Sequence, residues 1–426
     1  MSFPAAVSHP SRHGLRIAAT VLGVAHAFAL GPFGAALAAT ALHGHAHAAI
    51  DPADPVNALV RASEQALARG DTAAAQVGFE RAAATRHAAE IEMGLVRTAM
   101  QAGAYREALG FCAHAAGGHL DEPASSALYA WLLRVGGQDA VAERVLGDAL
   151  RRVPHDAVAL ATRAAFDAGL RAPPRGVLLE LPHRVAPQTH PIAGQMAPAP
   201  DARSASAGVL LDGGGFALVP MTAGVPLLPP TAAAATPKLW LRNGLGQTTE
   251  AVVDAAAQAP FAPLGLTLLR LLAPLPVPSL SLSQLAARDP FAGSSGHALA
   301  YPAAGDAAPA WPTLHSGFLG GAAPRAGWRR LGFDVPSGPL GGPVFDASGR
   351  VAGIAVGTTA APGSTAQATL LPVSMWREAV ALLVPLSVPA APAPAAAADV
   401  AVAPRMAADE VYERGLKIAL QLLVGP

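Results

Sequence analysis

The sequence predicts a multidomain chain that is α-helical in its first half and β-rich in its second. Residues 49–171 are rich in alanine and leucine at helical spacing, and they repeat at a fixed interval. At Ala172-Pro173-Pro174 the composition changes abruptly to short runs of valine, leucine and glycine separated by turn residues. A chain of 426 residues is also too long for one ordinary core. We therefore expect two folded domains joined to less regular segments.

Composition argues against several classes of function. Lysine plus arginine equals aspartate plus glutamate at 29 each, so no overall charge favours binding to nucleic acid. Cys112 is the only cysteine, which rules out an intramolecular disulfide and a cysteine-based metal site. The 14 histidines show no HExxH-like ligand spacing, and His43, His45 and His47 cluster beside a predicted cleavage point. The sequence therefore predicts no metal and no cofactor.

The N-terminus has the pattern of an export signal. Arg12 and Arg16 precede an apolar stretch over residues 17–42 that contains no charged residue. Ala46-His47-Ala48 has the small residues that signal peptidase requires, which predicts that residues 1–48 are a signal peptide. An uncleaved anchor is the alternative, because the stretch is long enough to span a bilayer. Both interpretations predict the periplasm, with membrane contact only through an uncleaved signal or a partner.

The helical half, residues 49–171, carries a repeat of 33 to 34 residues. Each repeat has a glycine, an alanine five positions later and a second alanine twelve positions later, with an apolar residue such as Phe79 at position nine. The glycine-alanine sets are Gly70, Ala75 and Ala82, then Gly103, Ala108 and Ala115, then Gly137, Ala142 and Ala149. Glycine permits a tight turn between two helices, and alanine permits their close packing.

This pattern resembles the tetratricopeptide repeat, most clearly at Gly70-Asp71 with Ala75 and Phe79, and at Gly103-Ala104-Tyr105. About three units fit, which is near the minimum for a stable stack. The resemblance implies a surface that binds a peptide or a partner protein, without identifying a contact residue. A generic helical bundle is the alternative.

Many short strands without long helices between them predict an all-β sandwich or barrel in the second half. The candidate strands are Gly176 to Leu181, Gly208 to Leu211, Phe216 to Val219, Lys238 to Arg242, Leu266 to Leu271, Ala298 to Tyr301, Gly342 to Phe345, Val351 to Val356 and Ala368 to Leu371.

One glycine-rich segment is more specific than this pattern. Residues 338–346 read GPLGGPVFD, and residues 349–354 read GRVAGI. Together they resemble the nucleophile loop of trypsin-like serine proteases, especially the bacterial periplasmic high-temperature-requirement kind. The resemblance extends over about residues 175–385 and implies a chymotrypsin-like double β-barrel in a domain over residues 172–385. The position of the catalytic serine holds Leu340, and the amides of Gly338 and Leu340 are where a vestigial oxyanion nest would lie.

The same resemblance locates the other two members of the triad. Residues 208–222 are similar to the stretch that leads to the general-base histidine, and that position holds Thr222. Residues 264–271 are similar to the strand that carries the aspartate, and that position holds Gly265. Leucine, threonine and glycine supply neither nucleophile nor base in these roles, so the resemblance implies an inactive protease. A relocated triad is the alternative; it would use Ser337 or His315, which is expected in a loop.

The C-terminal part divides into two segments. Residues 386–406 are rich in alanine and proline, which predicts an extended linker. Residues 407–426 are amphipathic and include Glu410-Val411-Tyr412-Glu413-Arg414, which resembles the segment that opens a trypsin-like protease domain. We expect this segment to dock as a helix or a strand, either on this chain or on a partner.

These observations lead to a functional hypothesis. The chain is expected to be a non-catalytic adaptor or scaffold of the cell envelope that binds proteins through its helical repeats and an inactive protease domain. Two alternatives remain: a diverged periplasmic endopeptidase with a relocated active site, and a structural subunit of an envelope complex. The sequence does not predict the partner or the oligomeric state.

Overall fold

The structure is a computed structural model. It describes residues 54–220, 237–278, 280, 282–302, 308–323, 325–333, 335, 340–357, 368–383 and 404–425. Within these residues, no helix combines the length and the apolar character needed to cross a bilayer.

The described part of the first half consists of helices that pack as successive hairpins. Aspartate side chains cap three of them: Asp54, Asp71 and Asp156 accept hydrogen bonds from backbone amides of the first turn. Each helix contacts the next along the chain, and alternate helices also touch, so the hairpins form a stack. The helices are α1 (Pro55–Ala68), α2 (Thr72–Thr85), α3 (Ala89–Ala102), α4 (Tyr105–Gly118), α5 (Pro123–Val135), α6 (Asp139–Arg152) and α7 (Ala157–Asp167).

The repeat-signature residues occupy equivalent places in three hairpins. Gly70, Gly103 and Gly137 lie in the turns that join α1 to α2, α3 to α4 and α5 to α6, and each has a positive φ of 77° to 80°. The signature alanines and the apolar residues between them are buried on the second helix of each hairpin. These buried residues are Ala75, Phe79, Ala82, Ala108, Cys112, Ala115, Ala142, Leu146 and Ala149.

The second half is built from two closed antiparallel barrels, and its fold is a chymotrypsin-like double β-barrel. Barrel 1 has the strand order β5-β4-β13-β2-β3-β6 and is closed by pairing of β5 with β6; β1 adds to β5 in parallel. Barrel 2 has the order β10-β11-β12-β9-β8-β7 and is closed by β7 with β10. The strands are β1 (His190–Pro191), β2 (Arg203–Leu210), β3 (Phe216–Pro220), β4 (Lys238–Asn243), β5 (Gln247–Val253), β6 (Leu266–Leu271), β7 (Ser295–Ala300), β8 (Thr313–Ala322), β9 (Arg329–Leu331), β10 (Pro343–Asp346), β11 (Val351–Gly357), β12 (Ala368–Pro372) and β13 (Ala419–Gly425).

Barrel 1 is completed by the C-terminal end of the chain. β13 pairs with β2 along residues 419–424 and with β4 along residues 420–425, so it lies between these two strands. Read around the ring from β13, barrel 1 has the order β13-β2-β3-β6-β5-β4. Read around the ring from β7, barrel 2 has the order β7-β8-β9-β12-β11-β10, which is the same arrangement if β13 is counted as the first strand of barrel 1. Barrel 1 is therefore a circular permutation of the arrangement in barrel 2. Residues 172–385 do not close this barrel without residues 419–425.

Two further helices belong to this half: α8 (Arg377–Leu383) follows β12, and α9 (Ala408–Ile418) precedes β13. Helix α9 contacts α4 of the stack, β4 of barrel 1, and β7 and β10 of barrel 2. The Tyr412 ring is buried at a centroid distance of 4.5 Å from the Tyr105 ring, and its hydroxyl donates to the Pro312 carbonyl at 2.8 Å. On the exposed side, the Arg106 guanidinium bonds Glu410 at 2.8 Å and Glu413 at 3.0 Å. Helix α9 thus connects the helical stack to both barrels.

The hairpin turns of the stack face the barrel half at close range. A Cβ atom on Gly70 would lie 2.3 Å from His190 Nε2, and one on Gly137 would lie 2.9 Å from the Leu314 carbonyl oxygen. Glycine at these turns therefore serves two purposes, because it accepts a positive φ and leaves room for the neighbouring barrel.

Two local expectations from the sequence are wrong. Gly176 to Leu181 is not a strand; residues Val177–Leu179 form a 3-10 turn. His315 is not in a loop, because it lies within β8. In addition, β5, β8 and β9 were not among the candidate strands, since polar residues and glycines interrupt their apolar character.

Candidate functional site

The described part of the glycine-rich loop before β10, residues 340–342, lies against barrel 1. The Leu340 carbonyl oxygen accepts a hydrogen bond from the Ser206 hydroxyl at 2.8 Å and another from the Ala207 amide at 3.0 Å. Both donors belong to β2. The Leu340 side chain is partly buried and would be 2.9 Å from a Cβ on Gly357. The position that resembles the catalytic serine therefore holds an apolar side chain on a backbone that is bonded across the junction of the barrels.

The two glycines that follow Leu340 make this close approach feasible. Gly341 has a φ of +127°, and a Cβ atom there would lie 1.9 Å from the Ala207 carbonyl oxygen. A Cβ atom on Gly342 would lie 1.8 Å from the Leu299 carbonyl oxygen in barrel 2. Both contacts are with backbone, which cannot move aside cheaply. The glycine pair therefore permits tight packing of the loop between the barrels.

The structure brings the two other segments that resemble triad-bearing segments to the same junction. A Cβ atom on Gly341 would also approach Pro220, the last residue of β3, at 2.5 Å. Pro220 pairs with Leu266, the residue that follows Gly265. Gly265, at the position that resembles the aspartate, has a φ of +75°, and a Cβ atom added to it would have no atom of the described residues within 4 Å. Thr222, Ser337 and Gly338 lie outside the described residues.

A serine and a histidine meet elsewhere, on the outer surface of barrel 2. Ser316 Oγ on β8 lies 2.8 Å from His297 Nδ1 on β7, and the two residues are cross-strand partners. Burial lowers the pKa of His297, which favours its neutral form. The nearby Asp346 carboxylate accepts hydrogen bonds from the Ser348 hydroxyl and from turn amides, including that of Arg350. The pair is thus a serine-histidine contact, and the aspartate of the adjoining strand is used to cap a turn.

The hypothesis of a relocated active site considers His315 as a base. His315 is not part of the Ser316–His297 contact, and its surroundings differ from those of that pair. Burial, with a smaller contribution from the positive charge of Arg171, lowers the pKa of His315 to about 4. Arg171 in turn bonds Asp139 through two contacts of 2.6 and 2.9 Å. His315 is therefore neutral near pH 7 and belongs to the contact between barrel 2 and the helical stack.

One face of the helical stack is covered by the chain itself. Helices α3 and α5 are buried along nearly their whole length, whereas α4 and α6 bury only one side. The buried Arg97 on α3 donates to the Pro182 carbonyl and bonds the Glu64 carboxylate. Leu178 and Val185 are 1% exposed and belong to the same hydrophobic core as α5. The segment over residues 177–190 therefore packs on the stack, where it contacts α3 and α7.

A cluster of histidines around one carboxylate was not predicted from the sequence. The Glu92 carboxylate lies 2.7 Å from His87 Nε2, 3.5 Å from His114 Nε2 and 3.4 Å from His119 Nε2. His87 precedes α3, Glu92 lies in its first turn, and the other two histidines lie on α4 and at its end. The available signal was the pair of spacings His87 to Glu92 and His114 to His119, each of five residues, at the two chain ends of one predicted hairpin.

Comparisons with known proteins add little to this description. No protein-family model matches the chain, and no curated protein does. Among solved structures, the MamO protease domain from Magnetospirillum magneticum in its apo form is similar to it, with 14% sequence identity and a TM-score of 0.31. The match covers 42% of this chain and 88% of that one. A likeness at this TM-score supports neither a function nor an assignment of site residues.

Proposed function

We propose that this protein is a non-catalytic scaffold of the bacterial cell envelope, in which a protease-like double barrel holds a helical protein-binding stack. The observation that supports this proposal best is the bonding of the Leu340 carbonyl to Ser206 and Ala207. At the position that resembles a nucleophile, this loop has an inert side chain, and its backbone joins the two barrels. Its role is therefore structural.

The chemistry of acyl transfer supports the same conclusion. A serine protease needs a hydroxyl nucleophile, an adjacent base and a group that orients the base. Leu340 and Gly265 cannot perform two of these roles, whatever the arrangement of the residues around them. Restoring a single member would not restore activity, because the members of a triad act as a unit.

The helical stack is the part that we propose binds proteins. The recurrence of glycine turns and buried alanines in three hairpins supports the resemblance to tetratricopeptide repeats. Since α3 and α5 are buried along nearly their whole length, we propose that a partner binds the exposed faces of the even-numbered helices. Affinity purification from the native envelope tests this proposal. A scaffold is expected to bring down partners that exchange with added free protein, whereas fixed stoichiometry without exchange would support a structural subunit.

A second candidate function, a diverged endopeptidase, rests on the hydrogen bond between Ser316 and His297. Labelling with a fluorophosphonate probe distinguishes the two candidates, because the probe reacts with activated serines. We expect the folded protein to be labelled no more than the heat-denatured protein, and to leave casein intact. Ser316→Ala is the matched variant: labelling of the native chain that disappears in this variant would establish the peptidase and overturn the scaffold.

The proposed location follows from the export-signal pattern over residues 1–48. Fractionation of the native cells tests it. Recovery with periplasmic marker proteins is expected, and recovery with the cytoplasm would contradict the proposal.

A further inference from the structure

The cluster around Glu92 lies at one end of the α3–α4 hairpin. His87 is in the connection from α2, Glu92 is in the first turn of α3, and His119 caps α4. The opposite end of the same hairpin carries the turn at Gly103, which approaches Lys417 of α9. Because α3 has 14 residues, the two ends are about 20 Å apart. The cluster is therefore separate from the barrel junction and from the contacts of α9.

Two atoms of this cluster are buried without a hydrogen-bond partner. The side chains of Glu92 and His119 are 8% and 9% exposed. Within the described structure, neither Glu92 Oε2 nor His119 Nε2 makes a hydrogen bond, although they lie 3.4 Å apart. An ion-pair contact of 3.4 Å without hydrogen-bond geometry satisfies two buried polar atoms poorly. This arrangement therefore indicates that both atoms face a ligand.

Two of the three distances to the Glu92 carboxylate are those expected between ligands of one metal ion. Two atoms bound to one tetrahedral ion at about 2.0–2.1 Å are separated by about 3.3 Å. The distance from Glu92 Oε2 to His119 Nε2 is 3.4 Å, and that from Glu92 Oε1 to His114 Nε2 is 3.5 Å. One ligand atom from each of His87, Glu92 and His119 lies within 4.8 Å of the others. The side chain of His114 is 51% exposed and lies at the solvent side of the cluster.

We propose that His87, Glu92 and His119 bind a divalent transition-metal ion of the Zn²⁺ class, with His114 as an outer partner that holds the Glu92 carboxylate. Imidazole nitrogens favour such ions over Mg²⁺ and Ca²⁺, which prefer oxygen ligands only. The ion would link the connection after α2, the start of α3 and the end of α4. Its role is to fix the outer end of the hairpin, independently of whether the protein acts as a scaffold.

An ion-pair cluster without metal is the competing explanation. It accounts for the distance of 2.7 Å between His87 Nε2 and Glu92 Oε1, which is an ordinary hydrogen-bond length. It accounts less well for Glu92 Oε2 and His119 Nε2, whose ion-pair contact of 3.4 Å does not have hydrogen-bond geometry. The stacking of the His87 and His119 rings, with centroids 4.6 Å apart, also places both Nε2 atoms on the same carboxylate.

Zn²⁺ titration of the untagged full chain by calorimetry, after removal of metal with a chelator, tests the site. The variants are Glu92→Gln, which conserves size, and His119→Ala. His155→Ala is the matched control, because His155 is an exposed histidine in the turn between α6 and α7. His43, His45 and His47 are present in every variant, so any binding by them is a constant background.

The wild-type chain and the control are expected to bind one more equivalent of Zn²⁺ than Glu92→Gln or His119→Ala. His114→Ala should retain this equivalent with an affinity about 10-fold lower. At a 100-fold excess over Kd, Zn²⁺ should raise the Tm of the wild type by about 5 °C and leave that of Glu92→Gln unchanged. Circular dichroism without metal verifies that each variant is folded. Equal stoichiometry and equal Tm shifts in the wild type and Glu92→Gln would overturn the proposal.

Discussion

Barrel 1 and barrel 2 have the same strand order but obtain their strands from the chain in different ways. Barrel 2 uses six consecutive strands, from β7 to β12. Barrel 1 takes five strands from residues 203–271 and its remaining strand, β13, from residues 419–425. The comparison shows that closure of a barrel depends on which edges meet in space, and not on the order in which the chain supplies them.

The difference also changes how the parts of the molecule are connected. Because β13 follows α9 directly, the strand that closes barrel 1 is attached to the helix that touches the stack and barrel 2. Among the described residues, no strand of barrel 2 both closes its barrel and directly follows a helix that contacts the stack. We therefore expect changes near the C-terminus to affect barrel 1 and the helical stack more than barrel 2.

Deletion of residues 404–426 tests this expectation, and it is the change for which we expect the largest effect on barrel 1. It leaves β2 and β4 as unpaired edges and removes buried side chains such as Tyr412 and Leu420. Hydrogen exchange measured by mass spectrometry should increase most in β2 and β4, and less in β11 and β12. Supplying residues 404–426 as a separate peptide should restore protection. Unchanged exchange in β2 and β4 would show that β13 is not needed to close barrel 1.

Tyr412→Ala measures the contribution of α9 to the connection between stack and barrels. The substitution removes a buried ring that packs on Tyr105, so we expect a loss of about 3–5 kcal/mol in the free energy of unfolding. Tyr412→Phe loses only the hydrogen bond to the Pro312 carbonyl and should cost about 1–2 kcal/mol. Urea denaturation gives both values. Leu382→Ala is the control, because Leu382 is 87% exposed, and equal losses in Tyr412→Ala and this control would contradict the assignment.

Gly341→Ala examines the contact between the barrels at the loop that resembles a nucleophile loop. The new Cβ would meet the Ala207 carbonyl oxygen at a φ of +127°, so a loss of about 2–3 kcal/mol is expected. The control is Gly110→Ala within α4, where no atom lies within 4 Å of the new Cβ. That substitution should stabilise the chain by up to about 1 kcal/mol. Thermal or urea unfolding of the pair gives the comparison, and destabilisation of both to the same extent would argue against a tight junction.

The smallest expected effect is a pH dependence from His315 on barrel 2. Its pKa is about 4 in the folded protein and near 6.5 when exposed, so the unfolded chain binds the proton first as the pH falls. The stabilisation is complete above pH 6.5 and is lost between pH 6.5 and 4. Since His315 is partly exposed, we expect it to account for a loss of about 1 kcal/mol in the free energy of unfolding when the pH falls from 7 to 5. His315→Gln should reduce the difference in unfolding free energy between pH 7 and pH 5 by this amount; an unreduced difference would exclude His315 as its source.

The strands that the sequence predicted well are those with continuous apolar character. β6 has the bounds of its candidate strand, Leu266–Leu271, and the bounds of β3, β4, β11 and β12 differ by one residue from theirs. Such runs are buried on both faces of a barrel wall, so hydrophobicity alone reveals them. β5, with the sequence QTTEAVV, was missed because its threonines are buried by neighbouring segments and not by their own hydrophobicity.

In the candidate site, too, some features could be predicted from the sequence and others could not. That Leu340 and Gly265 cannot act as nucleophile and orienting acid follows from side-chain identity, and therefore from sequence. The hydrogen bonds from Ser206 and Ala207 to the Leu340 carbonyl could not be predicted, because they join residues more than 130 positions apart. The histidines around Glu92 were missed for a similar reason, since their convergence depends on how α3 and α4 pack.

Local information in the chain was enough for the helices, the glycine turns at Gly70, Gly103 and Gly137, and the apolar barrel strands, because short-range sterics and burial govern these features. Long-range packing was needed for three others: the entry of β13 into barrel 1, the contacts of residues 177–190 with α3 and α7, and the meeting of His87 and His119 at Glu92. Residues 411–424 illustrate the reason. Apolar residues recur from one end of this segment to the other, yet helix changes to strand at Ile418–Ala419, where the edges of β2 and β4 offer hydrogen bonds that the helix cannot use.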